Sequence, residues 1–145
     1  METSAKILPA LGRLLMAALF IQTGIGKIGA IDSTAAHMAA QGIPLANILV
    51  YGAIVLEFGG GLMLLTGLWT RWVALALCLY ILVLALVFHG YWWMPTEMAR
   101  QQRNAFFEHL TIMGGMLYVV AFGAGSFSLD ALRGTAGGHR RLATS

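Results

Sequence analysis

Glu57 lies in the middle of an apolar run, 45–68, and this carboxylate restricts what the chain can become. Between Lys27 and Arg71 the only other formal charge is Asp32. Roughly 20 apolar residues at ~1.5 Å each match the ~30 Å hydrocarbon layer of a bilayer, so the run is long enough to span a membrane. A carboxylate in the middle of a span is costly unless it is protonated, paired or hydrated. The sequence therefore demands a partner for Glu57.

The composition agrees with a membrane protein and excludes several other classes. Of the 145 residues 59% are hydrophobic and 10% are charged, whereas soluble domains carry about 25% charged residues. The net charge of +3 is spread along the chain and forms no basic stripe, so no nucleic-acid partner is predicted. Cys78 is the single cysteine, which excludes an intramolecular disulfide.

Four apolar windows follow one another along the chain, and each is long enough for one membrane-spanning helix: 7–28, 45–68, 72–92 and 104–122. The predicted fold is therefore all-α, a four-helix transmembrane bundle in which the lipid bilayer is the main partner. Arg13 and the lack of a small-residue cleavage site favour a retained first helix over a signal peptide.

The predicted domain covers residues 1–133, and the small, polar residues 134–145 are expected to form a flexible tail. In the first loop, Asp32-Ser33-Thr34 predicts the cap of a short interfacial helix that ends before Gly42 and Pro44. The third loop, 91–103, carries Pro95 and two arginines and is expected to be exposed.

The distribution of basic residues predicts the orientation. One side of the predicted membrane has six lysines and arginines and the other has three: Lys6, Arg13, Arg71, Arg133, Arg140 and Arg141 against Lys27, Arg100 and Arg103. The positive-inside rule then places both termini in the cytoplasm. Aromatic residues mark both predicted boundaries, Tyr91, Trp92 and Trp93 on the outer side and Trp69 and Trp72 beside Arg71 on the inner side.

Arg13 is the first candidate partner of Glu57. It shares one face of the first helix with Lys27, and by depth an extended arginine spans much of the distance to Glu57. The glycines at 59–61, with Gly52 and Gly67, favour close approach of a neighbouring helix. The alternative is that Arg13 extends to lipid headgroups and that Glu57 is protonated. We predict a buried polar core of Arg13 and Glu57.

Polar residues at the outer ends of the helices form a second candidate group: Lys27, His89, Glu108 and His109. Two histidines and a carboxylate are metal-binding residue types, but their spacing matches no compact metal motif, and no metal site is predicted. A polar outer mouth above an apolar interior suits a ligand with a polar head and an apolar body, such as a quinone or a lipid. A bundle whose polar groups only satisfy one another has the same pattern.

Several short motifs together resemble the DoxX family of small bacterial membrane proteins, from about Leu11 to Leu132. They are Arg13 with Gly24-x-x-Lys27, Gln41-Gly42-Ile43-Pro44, Glu57-Phe-Gly-Gly, Gly67-Leu-Trp-Thr-Arg71, Phe88-His89, Gly114-Gly115 and Ser128-Leu129-Asp130. One position departs from the family, which typically has Lys-Asn where this chain has Glu108-His109. An anion-binding role at that position is therefore not expected. Instead, we expect Glu108 to pair with a cation such as His89 or Arg103.

The resemblance implies a protein of the bacterial inner membrane. Some relatives resemble the membrane subunit of thiosulfate:quinone oxidoreductase, and others are associated with oxidative or thiol stress responses. The leading hypothesis is a small subunit or accessory protein of a quinone-linked or thiol-linked redox system, with quinone as the cofactor to test. Under this hypothesis the possible protein partners are a redox protein and a second copy of the chain. The alternatives are a non-enzymatic scaffold or chaperone, and a proton-coupled transporter of a small solute or lipid that uses Glu57.

Overall fold

The computed structural model describes residues 2–92 and 94–134, and within them it contains helices and connecting turns but no strand. The helical elements are α1 (Glu2–Ile28), α2 (Ile31–Ala40), α3 (Ala46–Ile54), a π-helical turn (Val55–Gly59), α4 (Gly60–Thr66), α5 (Thr70–Phe88) and α6 (Thr96–Phe122). Four stretches of these helices are long and apolar enough to cross a membrane: Lys6–Ile28, Ala46–Thr66, Thr70–Phe88 and Thr96–Phe122. The predicted all-α fold with four candidate spans is confirmed.

The second span is one continuous helical rod made of three parts. α3, the π-helical turn and α4 follow one another without a break. α4 ends at Thr66, and the next residue, Gly67, has a positive φ of 70°. The N–H of Leu68 then donates to the carbonyl of Met63 at 2.9 Å, the arrangement of a glycine-terminated helix. This tight turn makes α4 and α5 antiparallel neighbours.

The end of α5 and the start of α6 differ from the predicted windows. α5 ends at Phe88 rather than Trp92, because His89 leaves the helical conformation with a φ of −122°. α6 begins at Thr96 rather than Asn104, directly after Pro95, whose carbonyl accepts the N–H of Ala99 at 2.9 Å. Proline suits the start of a helix because its fixed φ and missing N–H cost nothing there. Much of the predicted exposed loop 91–103 is therefore the first part of α6.

The short helix in the first loop is present as α2, but its start differs from the predicted cap. Ala30 precedes the helix and no side chain caps it. Ser33 instead donates its hydroxyl to the Ala30 carbonyl at 3.1 Å. Capping needs the side chain at the residue before the first helical turn, and Asp32 and Ser33 already lie within the helix.

The packed core is narrow, and apolar side chains cover the outside of the bundle. Phe20, Leu64, Leu77 and Met116 are buried where the four spans meet. Large apolar residues such as Leu15, Val55, Val83 and Tyr118 are exposed, as expected when the surrounding solvent is lipid.

Two glycines set the register of α1 against the second span. A Cβ at Gly24 would lie 2.8 Å from the backbone nitrogen of Phe58, and a Cβ at Gly61 would lie 2.9 Å from that of Ile21. The backbones therefore touch at both points, whereas Gly52 and Gly59 face open space. The predicted flexible tail lies outside the described residues, apart from Gly134.

Candidate functional site

Glu57 is buried inside the bundle and has two side-chain partners. Only 2% of the residue is exposed. The Lys27 ammonium nitrogen lies 2.9 Å from Oε1 and 2.7 Å from Oε2, and the Tyr80 hydroxyl donates to Oε1 at 2.6 Å. We refer to Lys27, Glu57 and Tyr80 as the Lys27 cluster. An ion pair with a further hydrogen bond offsets the cost of burying the carboxylate.

The local backbone helps to position Glu57. Val55–Gly59 forms a π-helical turn, which is rare and often found at functional sites. The next residue, Phe58, is the point where the second span touches α1 at Gly24. Lys27 lies about one helical turn beyond Gly24, so the same contact places the ammonium beside the carboxylate.

The predicted Arg13–Glu57 pair is wrong. Arg13 donates to the carbonyls of Ala124 and Phe127 instead, the latter at 2.6 Å from Nη2. We refer to Arg13 with these two carbonyls as the Arg13 site. The arginine is 4% exposed, so the buried polar groups predicted at Arg13 and Glu57 form two separate sites.

The register of the helices explains the correction. A Cβ at Gly67 would lie 2.7 Å from Nη1 of Arg13, so Arg13 is level with the end of α4. The ten positions between Glu57 and Gly67 correspond to about 15 Å along the helix. Gly123 and Gly125, both with positive φ, turn the chain after α6. The Ala124 and Phe127 carbonyls therefore lie next to Arg13 and accept its hydrogen bonds.

An apolar cavity of about 470 Å³ lies against the Lys27 cluster. Its polar lining residues are Lys27, Thr34, His37, Tyr80 and His89; the others are apolar: Met38, Ile43, Leu49, Gly52, Ala53, Leu56, Val83, Leu84 and Phe88. Glu57 lies behind this wall and is not part of the lining. The volume is within the usual range of small-molecule sites, which combine apolar walls with a few placed polar groups.

The polar residues that were predicted to lie at the outer mouth are only partly brought together. His89 lines the cavity, and its ring lies 4.6 Å from that of His109. The Nδ1 atoms of the two rings are bonded to Gln102 Oε1 at 2.7 Å and to the Ala105 carbonyl at 2.8 Å.

Glu108 is exposed and is not a lining residue. The prediction that His89, Glu108 and His109 together line the entrance is therefore wrong for the last two. Among residues 2–92 and 94–134, Glu108 forms no ion pair with His89 or Arg103. Adjacent residues on a helix point about 100° apart, so Glu108 and His109 cannot both face α5.

The predicted interfacial residues lie on the surface at both ends. Arg71 and Trp72 are exposed beside a second, more polar cavity of about 420 Å³ between the α4–α5 turn and the segment after α6. Trp92 packs against Phe106 with ring centroids 5.5 Å apart. Trp93 lies outside the described residues.

Asp130 joins the segment after α6 to the start of α5. Its two oxygens accept the N–H groups of Trp69 and Thr70, both at 2.8 Å. Burial alone would raise the pKa of the Asp130 carboxyl, but the hydrogen bonds from Thr70 and Trp69 and the charge of Arg133 outweigh it and hold the pKa below its usual value. The sequence motif around Asp130 gave no indication of this capping role.

Tyr80 is the member of the site that sequence reasoning missed. It lies in the uninterrupted apolar sequence of α5. A buried tyrosine hydroxyl usually finds a hydrogen-bond partner. A tyrosine within an otherwise apolar helix was therefore the sequence feature that could have indicated a further polar contact inside the bundle.

Comparisons with known proteins agree with this architecture. The DoxX family model matches residues 8–90. The chain is 38% identical over 121 residues to the inner membrane protein YqjF of Escherichia coli, covering 83% of this chain and 87% of that protein. It is 28% identical over 124 residues to the inner membrane protein YphA of the same organism, covering 86% and 89%. No solved structure gives a significant match. The chain is therefore a small inner-membrane protein of the DoxX family.

Proposed function

We propose that this protein is the quinone-binding subunit of a membrane redox system and that the apolar cavity is its quinone site. The observation that carries the proposal is the position of the Lys27 cluster: two of its members, Lys27 and Tyr80, line a cavity that is otherwise mostly apolar, and Glu57 binds both from behind. A quinone has the matching shape, with polar ring oxygens on one part and an apolar tail on another.

The residues present fit such a head group. An ammonium has three N–H donors, and its contacts with Glu57 use two of them at most. The remaining donor can bind a ring oxygen. Glu57 balances the positive charge, so that Lys27 lies beside an apolar cavity at 24% side-chain exposure without being unpaired. A bound quinone would supply two-electron redox chemistry, and the side chains would hold and orient its ring.

Electrons must then come from a partner. Cys78 is the only cysteine of the chain and is buried in α5, so the protein cannot form an internal disulfide, and thiol exchange also needs access to the reacting sulfur. A thiol-linked or sulfur-linked pathway requires a second protein that docks on this subunit. The role that follows is that of an accessory subunit which receives electrons and passes them to the quinone pool.

A pair of glycine variants tests the cavity. A Cβ at Gly52 meets nothing within 4 Å, and Gly52 lines the cavity; Gly114 on α6 is equally open but does not line it. Gly52→Leu should fill the cavity and reduce binding of decylubiquinone by at least about tenfold, because a lost site costs several contacts at once. Gly114→Leu is the matched control and should bind like the parent.

Binding is measured by titration of decylubiquinone into the protein in nanodiscs, and a photoreactive azidoquinone identifies the labelled helix. Label on α2, α3 or α5 that Gly52→Leu abolishes supports the proposal. Absence of binding up to the solubility limit overturns it, as does equal binding by both leucine variants. A scaffold without a quinone site would give the absence of binding.

We also infer that both termini face the cytoplasm. The excess of basic residues on the side of the termini and of Arg71 supports this orientation. A green fluorescent protein fused to the C-terminus should fluoresce, and alkaline phosphatase at the same position should be inactive. Active phosphatase would reverse the orientation.

A further inference from the structure

The direction of the hydrogen bonds in the Lys27 cluster determines what its cavity-facing atoms can offer a ligand. Glu57 contacts the Lys27 ammonium through both oxygens, as a carboxylate does. A carboxylate only accepts hydrogen bonds. The 2.6 Å contact between Tyr80 and Glu57 is therefore donated by the phenol, and the single proton of Tyr80 is committed to Glu57.

Tyr80 consequently offers the cavity an acceptor and no donor. A phenolic oxygen whose proton is bound elsewhere still has lone pairs, and Tyr80 lines the cavity whereas Glu57 does not. Lys27, beside it, offers an N–H donor and no acceptor. The polar wall thus combines one acceptor and one donor that share Glu57 as their common partner.

This pairing matches a hydroxyl group better than a carbonyl group. A ligand hydroxyl can donate to the Tyr80 oxygen and accept from Lys27, and both polar atoms of the wall are then satisfied. A carbonyl oxygen can accept from Lys27 but cannot donate to the Tyr80 oxygen, so it forms one hydrogen bond with this pair where a hydroxyl forms two. His37 and His89 also line the cavity, but imidazole nitrogens can donate or accept and so suit either group.

We propose that the cavity binds a quinone in its reduced, dihydroxy form in preference to the oxidised form. This inference rests on the proposed quinone-binding function and adds the redox state that the site selects. One further hydrogen bond corresponds to a preference of about threefold to tenfold. Because the reduced form is held more tightly, the bound quinone has a higher midpoint potential than the free quinone.

The test compares decylubiquinone with decylubiquinol, both titrated anaerobically into the protein in nanodiscs. The reduced form should bind about threefold to tenfold more tightly. Tyr80→Phe removes the acceptor and should abolish the difference by weakening binding of the reduced form alone. Tyr118→Phe, at an exposed tyrosine of α6, is the matched control and should keep the full preference.

The outcomes separate this inference from the function on which it rests. Equal affinity for the two forms in the parent protein, or tighter binding of the oxidised form, overturns the inference and leaves the quinone site intact. A preference that survives in folded Tyr80→Phe also overturns it. Binding of neither form overturns both proposals. The comparison of the two forms in the parent protein does not depend on whether any variant folds.

Discussion

Two basic residues of α1, Arg13 and Lys27, lie under opposite conditions at different depths of the same helix. Arg13 is 4% exposed and is bound by two backbone carbonyls. Lys27 has 24% of its side chain exposed, is paired with a buried carboxylate, and lines a cavity. Arg13 is held by hydrogen bonds to neutral backbone carbonyls, with the charge of Asp130 acting on it from nearby. Lys27 is in direct contact with a carboxylate and is still partly exposed.

This difference separates the structural role of the Arg13 site from the ligand-binding role that we propose for the Lys27 cluster. Guanidinium to carbonyl hydrogen bonds tie α1 to the segment after α6, and neither acceptor is a group that can be protonated near neutral pH. The Lys27 cluster contains an acid, a base and a phenol in contact, the groups that proton handling requires.

The largest effect is expected from removing the arginine of the Arg13 site. Arg13→Met leaves the Ala124 and Phe127 carbonyls without donors in a dry region, and hydrogen bonds to charged groups contribute about 1.5–3 kcal/mol each. We expect the free energy of unfolding in detergent to fall by about 3–5 kcal/mol. Chemical denaturation followed by circular dichroism measures it. A loss below about 1 kcal/mol would contradict a structural role for the Arg13 site.

A smaller effect is expected at the Lys27 cluster, because Lys27 is partly exposed. Glu57→Gln leaves the ammonium without a counter-charge and should cost about 2–3 kcal/mol, toward the low end for a broken buried pair. Lys27→Met combined with Glu57→Gln should recover part of this loss, since the double variant has no unpaired charge. A double-mutant cycle measures the coupling; strictly additive losses would show that the two side chains do not act as a pair.

The sequence was sufficient for the all-α architecture and for the demand that Glu57 have a partner. It was not sufficient for the partner's identity. The prediction placed Arg13 and Glu57 by counting residues from each membrane boundary, and such boundaries are uncertain by several residues. The true register depends on which glycines carry the contact, and Gly24 against Phe58 and Gly61 against Ile21 emerge only when the helices are packed.

Other parts of the site have even weaker signals in the sequence. The π-helical turn at Val55–Gly59 was not predicted from the sequence. Tyr80 is one phenol in an apolar helix. Its hydroxyl is recognised as part of the site only from the structure, where it lies 2.6 Å from Glu57 Oε1. Asp130 caps a helix that begins 60 residues earlier in the chain, and no local capping pattern predicts that contact.

The register can be tested directly with a pair of alanine variants in α1. A Cβ at Gly24 would lie 2.8 Å from the backbone nitrogen of Phe58, whereas a Cβ at Gly26 meets nothing within 4 Å. Gly24→Ala should cost about 1–3 kcal/mol by overpacking and weaken quinone binding, because it moves Lys27 away from Glu57. Gly26→Ala should be neutral or stabilising by up to about 1 kcal/mol. Equal effects of the two variants on stability would show that the helices do not touch at Gly24.

The smallest effect concerns Asp130 and has a distinct pH dependence. Asparagine has one acceptor oxygen in place of two, so Asp130→Asn should cost about 1 kcal/mol at neutral pH. The pKa of Asp130 is lower in the folded protein than its usual value, so its contribution is fully present above the unfolded pKa of about 3.9 and is lost as the pH falls through the folded value. The difference in melting temperature between the parent and Asp130→Asn should therefore be constant from about pH 6 down to about pH 5 and shrink below about pH 4. A difference that grows on acidification would mean that Asp130 is not held as an ionised cap of α5.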